Sequence, residues 1–309
     1  MLLRGISVAG RITLITPIIP ITLIPQTMKK LLFAAAALLF LASCAEPELN
    51  IRAATYNVRY DAAADATNGD SWAERKQAVV KLIRDYDFDI FGTQEANDRQ
   101  MPEFASMLPE YDYIFHPYGN VERYGHNCIT FFKRDKYELL DKGTFWYSQT
   151  PDTESVGWDA NDYRLCNWGK FLDKATGREF FFFNSHLYWR LEEARANSGR
   201  VLVQKIREIA GDAPVIAVGD YNSKPESPQV KDILSLMNDA YAVSETTPAG
   251  SYDTDLGGGN FVGPANGRID FLFVSKGIKV KDYTVPEDKR ENGHYPSDHL
   301  PIVCNLTIE

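Results

Sequence analysis

Five consecutive apolar residues, Pro214-Val215-Ile216-Ala217-Val218, run straight into Gly219-Asp220-Tyr221-Asn222. A strand with one face in water alternates apolar and polar residues, whereas a strand apolar throughout is covered on both faces. A chain holding such a strand needs layers on either side of a sheet. Further strands are expected at 53–60, 89–95, 128–133, 164–172, 179–187, 268–275 and 300–308, with a turn at 174–178 between two of them. In 53–60 the period of two puts Asn57 and Arg59 on one face. Helices are expected at 74–86, where Val79, Leu82, Ile83 and Tyr86 recur at helical spacing, at 192–210 and near 228–237. Strands and helices mixed at this density describe an α/β fold in which helices cover sheets.

The 309 residues, 44% hydrophobic and 24% charged, suffice for one sizeable core. No Ser/Gly linker, repeat or low-complexity tract interrupts residues 51–309, which are read as one domain. Net charge is −9, and positions 1–44 contain four basic residues and no acidic one, so the remainder is more acidic still. That balance opposes non-specific binding of nucleic acid, which relies on Lys and Arg at phosphates. A metal ion could still supply local positive charge at a nuclease site.

The first 43 residues read as a leader. From Met28, two lysines precede an apolar run from Leu31 to Leu41 that is too short to span a bilayer, then Leu41-Ala42-Ser43-Cys44. These four residues resemble a bacterial lipobox, which makes Cys44 a lipidated anchor, residues 44–50 a short tether, and the cell envelope the expected location. Pro17, Pro20 and Pro25 break the upstream apolar stretch, and Met28 is taken as the true start. The three remaining thiols, Cys128, Cys166 and Cys304, have no paired spacing and are expected to be buried apolar residues.

Six polar clusters lie at the ends of these segments: Thr55-Tyr56-Asn57, Thr93-Gln94-Glu95, Asn184-Ser185-His186-Leu187, Gly219-Asp220-Tyr221-Asn222, Arg268-Ile269-Asp270 and Pro296-Ser297-Asp298-His299. Each alone has a structural explanation, such as a satisfied core histidine or a helix cap. Together they offer carboxylates suited to magnesium or manganese (Mg2+ or Mn2+), amides that can hold phosphate oxygens, and histidines beside carboxylates. Asp220 and Asn222, two apart, point to one side if that segment is extended. The chain has no thiolate cluster, HExxH or GxSxG, so metal-assisted hydrolysis of a phosphate ester fits these residue types best. Gly257-Gly258-Gly259 lacks the Gly-Lys-Ser/Thr of a P-loop and is expected to be a flexible surface loop.

The six clusters, in this order and spacing, resemble the endonuclease/exonuclease/phosphatase superfamily typified by deoxyribonuclease I, over roughly residues 51–309. The resemblance implies a four-layer α/β/β/α sandwich of two packed mixed sheets, with the site in a cleft at the strand ends. It implies Glu95 and Asn57 at the metal, with Asp298 at a second or shared position. It makes Asp220 the group that orients or deprotonates the attacking water, and Asn222 and His186 the holders of phosphate oxygens. His299, oriented by Asp270, would be general base or charge stabiliser, and the choice between Asp220 and His299 as base stays open. Arg164, Arg59, Tyr188 and His126 are candidate substrate contacts, with Tyr124 and Trp146 behind them. Where the family often continues His186-Leu187 with an Asp, this chain has Tyr188-Trp189-Arg190, whose aromatics and cation could stack on a sugar or a base.

The expected activity is a metal-dependent phosphoesterase acting as a monomer on a small or carbohydrate-linked phosphate, at a membrane reached through the N-terminal lipid. The alternatives are an extracellular nuclease, which the acidic charge disfavours, and a sphingomyelinase-like phospholipid diesterase, for which no exposed apolar hairpin is evident. A non-catalytic module is disfavoured because Glu95, Asp220, Asn222, Asp270, Asp298 and His299 are all present.

Overall fold

A computed structural model describes residues 47–116 and 128–309. Along the chain come β1 (Leu49–Asn57), a 3-10 turn (Ala63–Asn68), α1 (Trp72–Asp85), β2 (Ile90–Gln94), α2 (Gln100–Met107), β3 (Tyr111–Phe115) and β4 (Ile129–Lys133). Next are β5 (Tyr137–Trp146), β6 (Leu165–Asp173), β7 (Glu179–His186), α3 (Glu192–Ala210), β8 (Val215–Asp220), α4 (Pro228–Leu234) and β9 (Met237–Asp239). The chain closes with α5 (Ala240–Val243), β10 (Ala249–Gly250), β11 (Asp270–Ser275), β12 (Lys279–Val285) and β13 (Ile302–Ile308).

The strands form two mixed sheets, ordered β10-β12-β13-β1-β2-β4-β3 and β5-β6-β7-β8-β11-β9. In the first, β1 runs parallel to β2 and antiparallel to β13; in the second, β7 runs parallel to β8. The sheets pack face to face because their strands are apolar on both sides. On β7, Phe180 and Phe182 enter the layer between the sheets, while Phe181 and Phe183 face outward. On β8, Ile216 and Val218 point in, and Val215 and Ala217 point out. The outward residues of the second sheet are covered by Leu202 and Ile206 of α3 and by Val230 and Ile233 of α4. Those of the first sheet are covered by Val79, Leu82 and Ile83 of α1 and Phe104 of α2. This is the four-layer sandwich expected from the resemblance.

The sequence pattern did not mark α2, β3, β5 or β12. β3 and β5 are sheet edges, and β5 and β12 carry register shifts at Leu139/Asp141 and Val280/Asp282. An edge strand keeps much of its length in water, and a bulge shifts the alternation by one residue, so the period-two signal fades. β1 also ends earlier than expected. Arg59 has φ 55°, so the chain has left the strand and Asn57 and Arg59 do not share a strand face. Cys128, Cys166 and Cys304 are buried and unpaired. The leader, Cys44, Tyr124 and His126 lie outside the described residues.

Candidate active site

The inner-face parity of the core strands carries through to their ends, and there the residues turn polar. Continuing from Ile51 and Ala53 leads to Thr55 and Asn57, from Ile90 to Gln94, and from Phe180 and Phe182 to Asn184 and His186. Ile216 and Val218 lead to Asp220, and Leu272 and Val274 lead back to Asp270. The inter-sheet layer thus becomes hydrophilic at one pole. Its floor is a buried amide network in which Gln94 Nε2 donates to Asn184 Oδ1 at 2.8 Å and to Thr55 Oγ1 at 3.1 Å. Asn184 Nδ2 in turn donates to the carbonyls of Thr93 and Ile129 at 3.1 and 3.0 Å. Satisfying each buried amide this way fixes the sheets against each other at the polar end.

Above this floor the two sheets touch through Asn57, whose Nδ2 donates to Glu95 Oε1 at 3.2 Å and to Asp220 Oδ2 at 3.0 Å. The other Glu95 oxygen accepts the Tyr60 N–H at 3.2 Å. His186 Nε2 lies 3.4 Å from Asp220 Oδ2. His299 Nδ1 is 2.9 Å from Asp270 Oδ2, and its Nε2 is 3.9 Å from Asp220 Oδ2 and 4.0 Å from Asp255 Oδ1. Pairing of β13 with β1, Ile302 opposite Thr55, brings Ser297-Asp298-His299 to this pole, and the Ser297 hydroxyl donates to the Asn57 carbonyl at 2.7 Å. Arg59, Glu95 and Asn222, three of the five non-glycine residues with positive φ among the described residues, line the same cleft. Backbone strain concentrated there is held by the surrounding structure and aims side chains that a regular strand would send elsewhere. Gly219, at φ 152°, is required by the approach of β7 to β8, since a Cβ there would lie 2.1 Å from the Ser185 carbonyl oxygen.

The electrostatics follow from burying several carboxylates together. Burial, reinforced by the Asp270 charge, pushes the Asp220 carboxyl up to about 8. Burial also raises Asp298, with Glu95 adding to the effect. Burial alone would depress the His299 imidazole, but the Asp270 carboxylate and hydrogen bond, with Asp220 and Asp298, hold it well above its ordinary value. Carboxylates this crowded favour a bound cation. Ligand atoms of Glu95, His186 and Asp220 lie within 4.8 Å of one another, and so do those of Asp220, Asp270 and His299. The oxygens of Glu95 and Asp220 around the Asn57 amide fit a hard divalent ion.

The cleft, a cavity of about 390 Å³, also takes in Arg59, Arg164, Asn222 and Asp298. Asp298 accepts the Gly259 N–H at 2.6 Å and faces Arg59 Nη1 at 3.5 Å. The 257–259 segment is a surface loop as expected, with Gly257 and Gly258 exposed, and it also forms part of the site wall, where Gly258 lines the cavity. Asn222 is not on an extended segment, because β8 ends at Asp220. Its N–H donates to Asp220 Oδ1 at 2.8 Å and its Nδ2 to the Leu187 carbonyl at 3.0 Å. Tyr188 is 2% exposed and off the cavity wall, with its hydroxyl donating to Asn161 Oδ1 at 2.7 Å and its ring under the Arg164 guanidinium at 5.7 Å. The neighbouring Trp189 is the aromatic that reaches the cavity. Trp146 is core, packed with Cys128 and Leu165. Asp255 and Tyr60 also line the cleft, and the sequence reading passed over both. No local pattern marks Asp255, which reaches the site through an isolated antiparallel bridge to His299.

A family model described as the Endonuclease/Exonuclease/phosphatase family matches residues 54–299. The structure is similar to that of an endonuclease/exonuclease/phosphatase from Bacteroides vulgatus, at 35% identity and TM-score 0.78 over 84% of this chain and 100% of that one. It is also similar to a mannosyl-6-phosphatase from Bacteroides thetaiotaomicron, at 34% identity and TM-score 0.76 over 83% of this chain and 99% of that one. Among curated proteins, Nocturnin of Drosophila melanogaster is 25% identical over 280 residues, 77% of this chain and 42% of that protein. The chain spans about half the length of the curated relatives it matches.

Proposed function

The chain belongs to the endonuclease/exonuclease/phosphatase family, and on that premise we propose that it is a divalent-metal-dependent phosphoric ester hydrolase acting on a small, carbohydrate-linked phosphate. The observation that carries this reading is the meeting of Glu95, Asn57, His186, Asp220 and Asp270-oriented His299 in one cleft. The likeness to a mannosyl-6-phosphatase and the acidic net charge of −9 support the substrate class. So does a cavity of about 390 Å³, near the lower end of small-molecule sites.

Magnesium or manganese held at Glu95 would act as a Lewis acid on the phosphoryl oxygens. Asp270 fixes the orientation of His299 through Nδ1, and the Asp270, Asp220 and Asp298 carboxylates favour its charged form. We assign the Nε2–H of a charged His299 to a non-bridging oxygen and the proton of the attacking water to Asp220, whose Oδ2 lies 3.9 Å from that nitrogen. The water oxygen bonds to phosphorus as the bond to the alcohol oxygen breaks, the leaving oxygen takes a proton from solvent water, and His186 and Asn222 hold the phosphoryl group in line.

The test is phosphate release by the purified protein from a panel of sugar phosphates and nucleotides, run beside cleavage of plasmid DNA and single-stranded RNA. Release that needs magnesium or manganese, stops in EDTA and is unaccompanied by nucleic-acid cleavage is expected. The curated relatives include a CCR4-Not complex 3'-5'-exoribonuclease subunit, which favours a nuclease as the second reading. Cleavage of RNA or DNA without monoester hydrolysis would establish that alternative.

We further propose that the protein is tethered at the cell envelope through lipid on Cys44, a reading supported by Leu41-Ala42-Ser43-Cys44 after an apolar run. Cells grown with radiolabelled palmitate should yield a labelled protein, and Cys44→Ala should abolish the label. An unlabelled wild-type band would remove the anchor.

A further inference from the structure

Asp255 is the most exposed of the aspartates lining the cleft, and the reaction above gives it no contact with substrate. Its side chain is 27% exposed, whereas those of Asp220, Asp270 and Asp298 are at most 2% exposed. It therefore faces the space a substrate enters rather than the buried cluster. Its position is rigid. The Asp255 N–H donates to the Gly267 carbonyl at 3.0 Å, the Asn266 N–H donates to the Asp255 carbonyl at 2.7 Å, and the Gly257 N–H donates to Oδ1 at 2.7 Å. The bridge to His299 sets that carboxylate 4.0 Å from Nε2, beside the place where the phosphoryl group and its leaving oxygen would sit. The same cavity is lined by Trp189, 51% exposed, whose ring lies under the Arg190 guanidinium at 4.2 Å.

We propose that Asp255 is a specificity-determining residue: its carboxylate accepts a hydrogen bond from a ring hydroxyl of a sugar phosphate, and its negative charge turns away a substrate carrying a second phosphate. This rests on the hydrolase reading and names the substrate as a phosphomonoester of a polyhydroxylated ring. A carboxylate is purely an acceptor, so it pairs with hydroxyl donors and repels phosphate oxygens. An aromatic face offers the matching surface for the apolar side of a pyranose. A polynucleotide or phosphodiester would have to carry its further phosphate or ester arm past a fixed anion next to the reacting centre. The charge that welcomes a hydroxyl thus discriminates by class.

The test compares wild type with Asp255→Asn, which keeps the size of the side chain and an oxygen for the Gly257 N–H. Three substrates are used: mannose 6-phosphate, p-nitrophenyl phosphate, which has no ring hydroxyl, and bis-p-nitrophenyl phosphate, a diester. The ratio of kcat/KM for the sugar phosphate to that for the aryl monoester should fall about 10- to 100-fold in the variant, the scale of one hydrogen bond to a charged group. The fall should appear mainly in KM, and the diester-to-monoester ratio should rise. Binding is read without turnover by calorimetry in a His299→Ala background, where mannose 6-phosphate should bind more tightly than inorganic phosphate and should lose that advantage once Asp255→Asn is added. An unchanged substrate ratio, or equal affinities for the two ligands before Asp255 is altered, overturns the assignment. If the wild type hydrolyses no monoester, the hydrolase reading falls instead, and the calorimetry decides Asp255 separately.

Discussion

His299→Ala should lower kcat on a phosphate ester by about a thousand-fold or more, the combined scale of losing a positioned proton-transfer or charge-stabilising group. Glu95→Ala should do the same at saturating magnesium, since it removes one of the two carboxylates that flank the Asn57 amide. Near-normal turnover in either variant would sink the assignment, and a native circular dichroism spectrum should accompany each loss. Asp270→Asn separates orientation from contact. Asp270 meets His299 Nδ1 at 2.9 Å and is the strongest influence raising its pKa. Without that charge the imidazolium deprotonates at lower pH, so the alkaline limb of the kcat profile should move to lower pH. A profile that keeps its shape would show that Asp270 only fills space. The stability linkage has a definite sign. A histidine whose folded pKa lies above its unfolded value adds stability that is complete below about pH 6.5 and is lost as pH rises through the folded pKa. The same direction holds for Asp220: a carboxyl raised to about 8 costs stability progressively as pH climbs from its unfolded value.

Arg75 should carry the largest purely structural effect. Its side chain is fully buried, and burial pulls its guanidinium down to about 10. It donates to the carbonyls of Val58, Arg59 and Tyr60, with Arg59 at 2.6 Å and Tyr60 at 3.1 Å. It also donates to the backbone carbonyls of Asp70 at 3.2 Å and Pro296 at 3.4 Å. One planar fork thus ties the loop after β1, which carries Arg59, to the residue before Ser297-Asp298-His299. Arg75→Met keeps much of the stem but strands buried carbonyls, and a loss of about 3–5 kcal/mol is expected by analogy with breaking a buried charged network. Urea denaturation in EDTA reads this directly, and a change below about 1 kcal/mol would refute it. Arg75→Lys should recover little, because an ammonium cannot span the same carbonyls. Activity measured well below the midpoint should fall too, as both loops lose their register over the cleft.

Local regularity made much of the architecture legible. α3 occupies Glu192–Ala210, where a helix was expected over 192–210, and the four phenylalanines of β7 divide between two cores as period-two geometry requires. The polar clusters at the strand ends were legible for the same reason, since an apolar strand that stops at Asn, Glu, Asp or His declares where packing ends. β5 and β12 were not, because bulges and solvent-facing edges break the alternation that reveals a strand.

The sequence by itself determined the core strands and the residue types at their ends, because strand parity and side-chain type are properties of neighbours along the chain. Only the tertiary structure decided the partners. Tyr188 turned into the interior while Trp189 took the cavity, Gly259 came to hold Asp298, and Asp255 was carried to His299 across 44 positions. Those meetings depend on how two sheets close on each other and where the loops between them land. The energies that place them are long-range contacts and hydrogen bonds, which no window along the sequence contains.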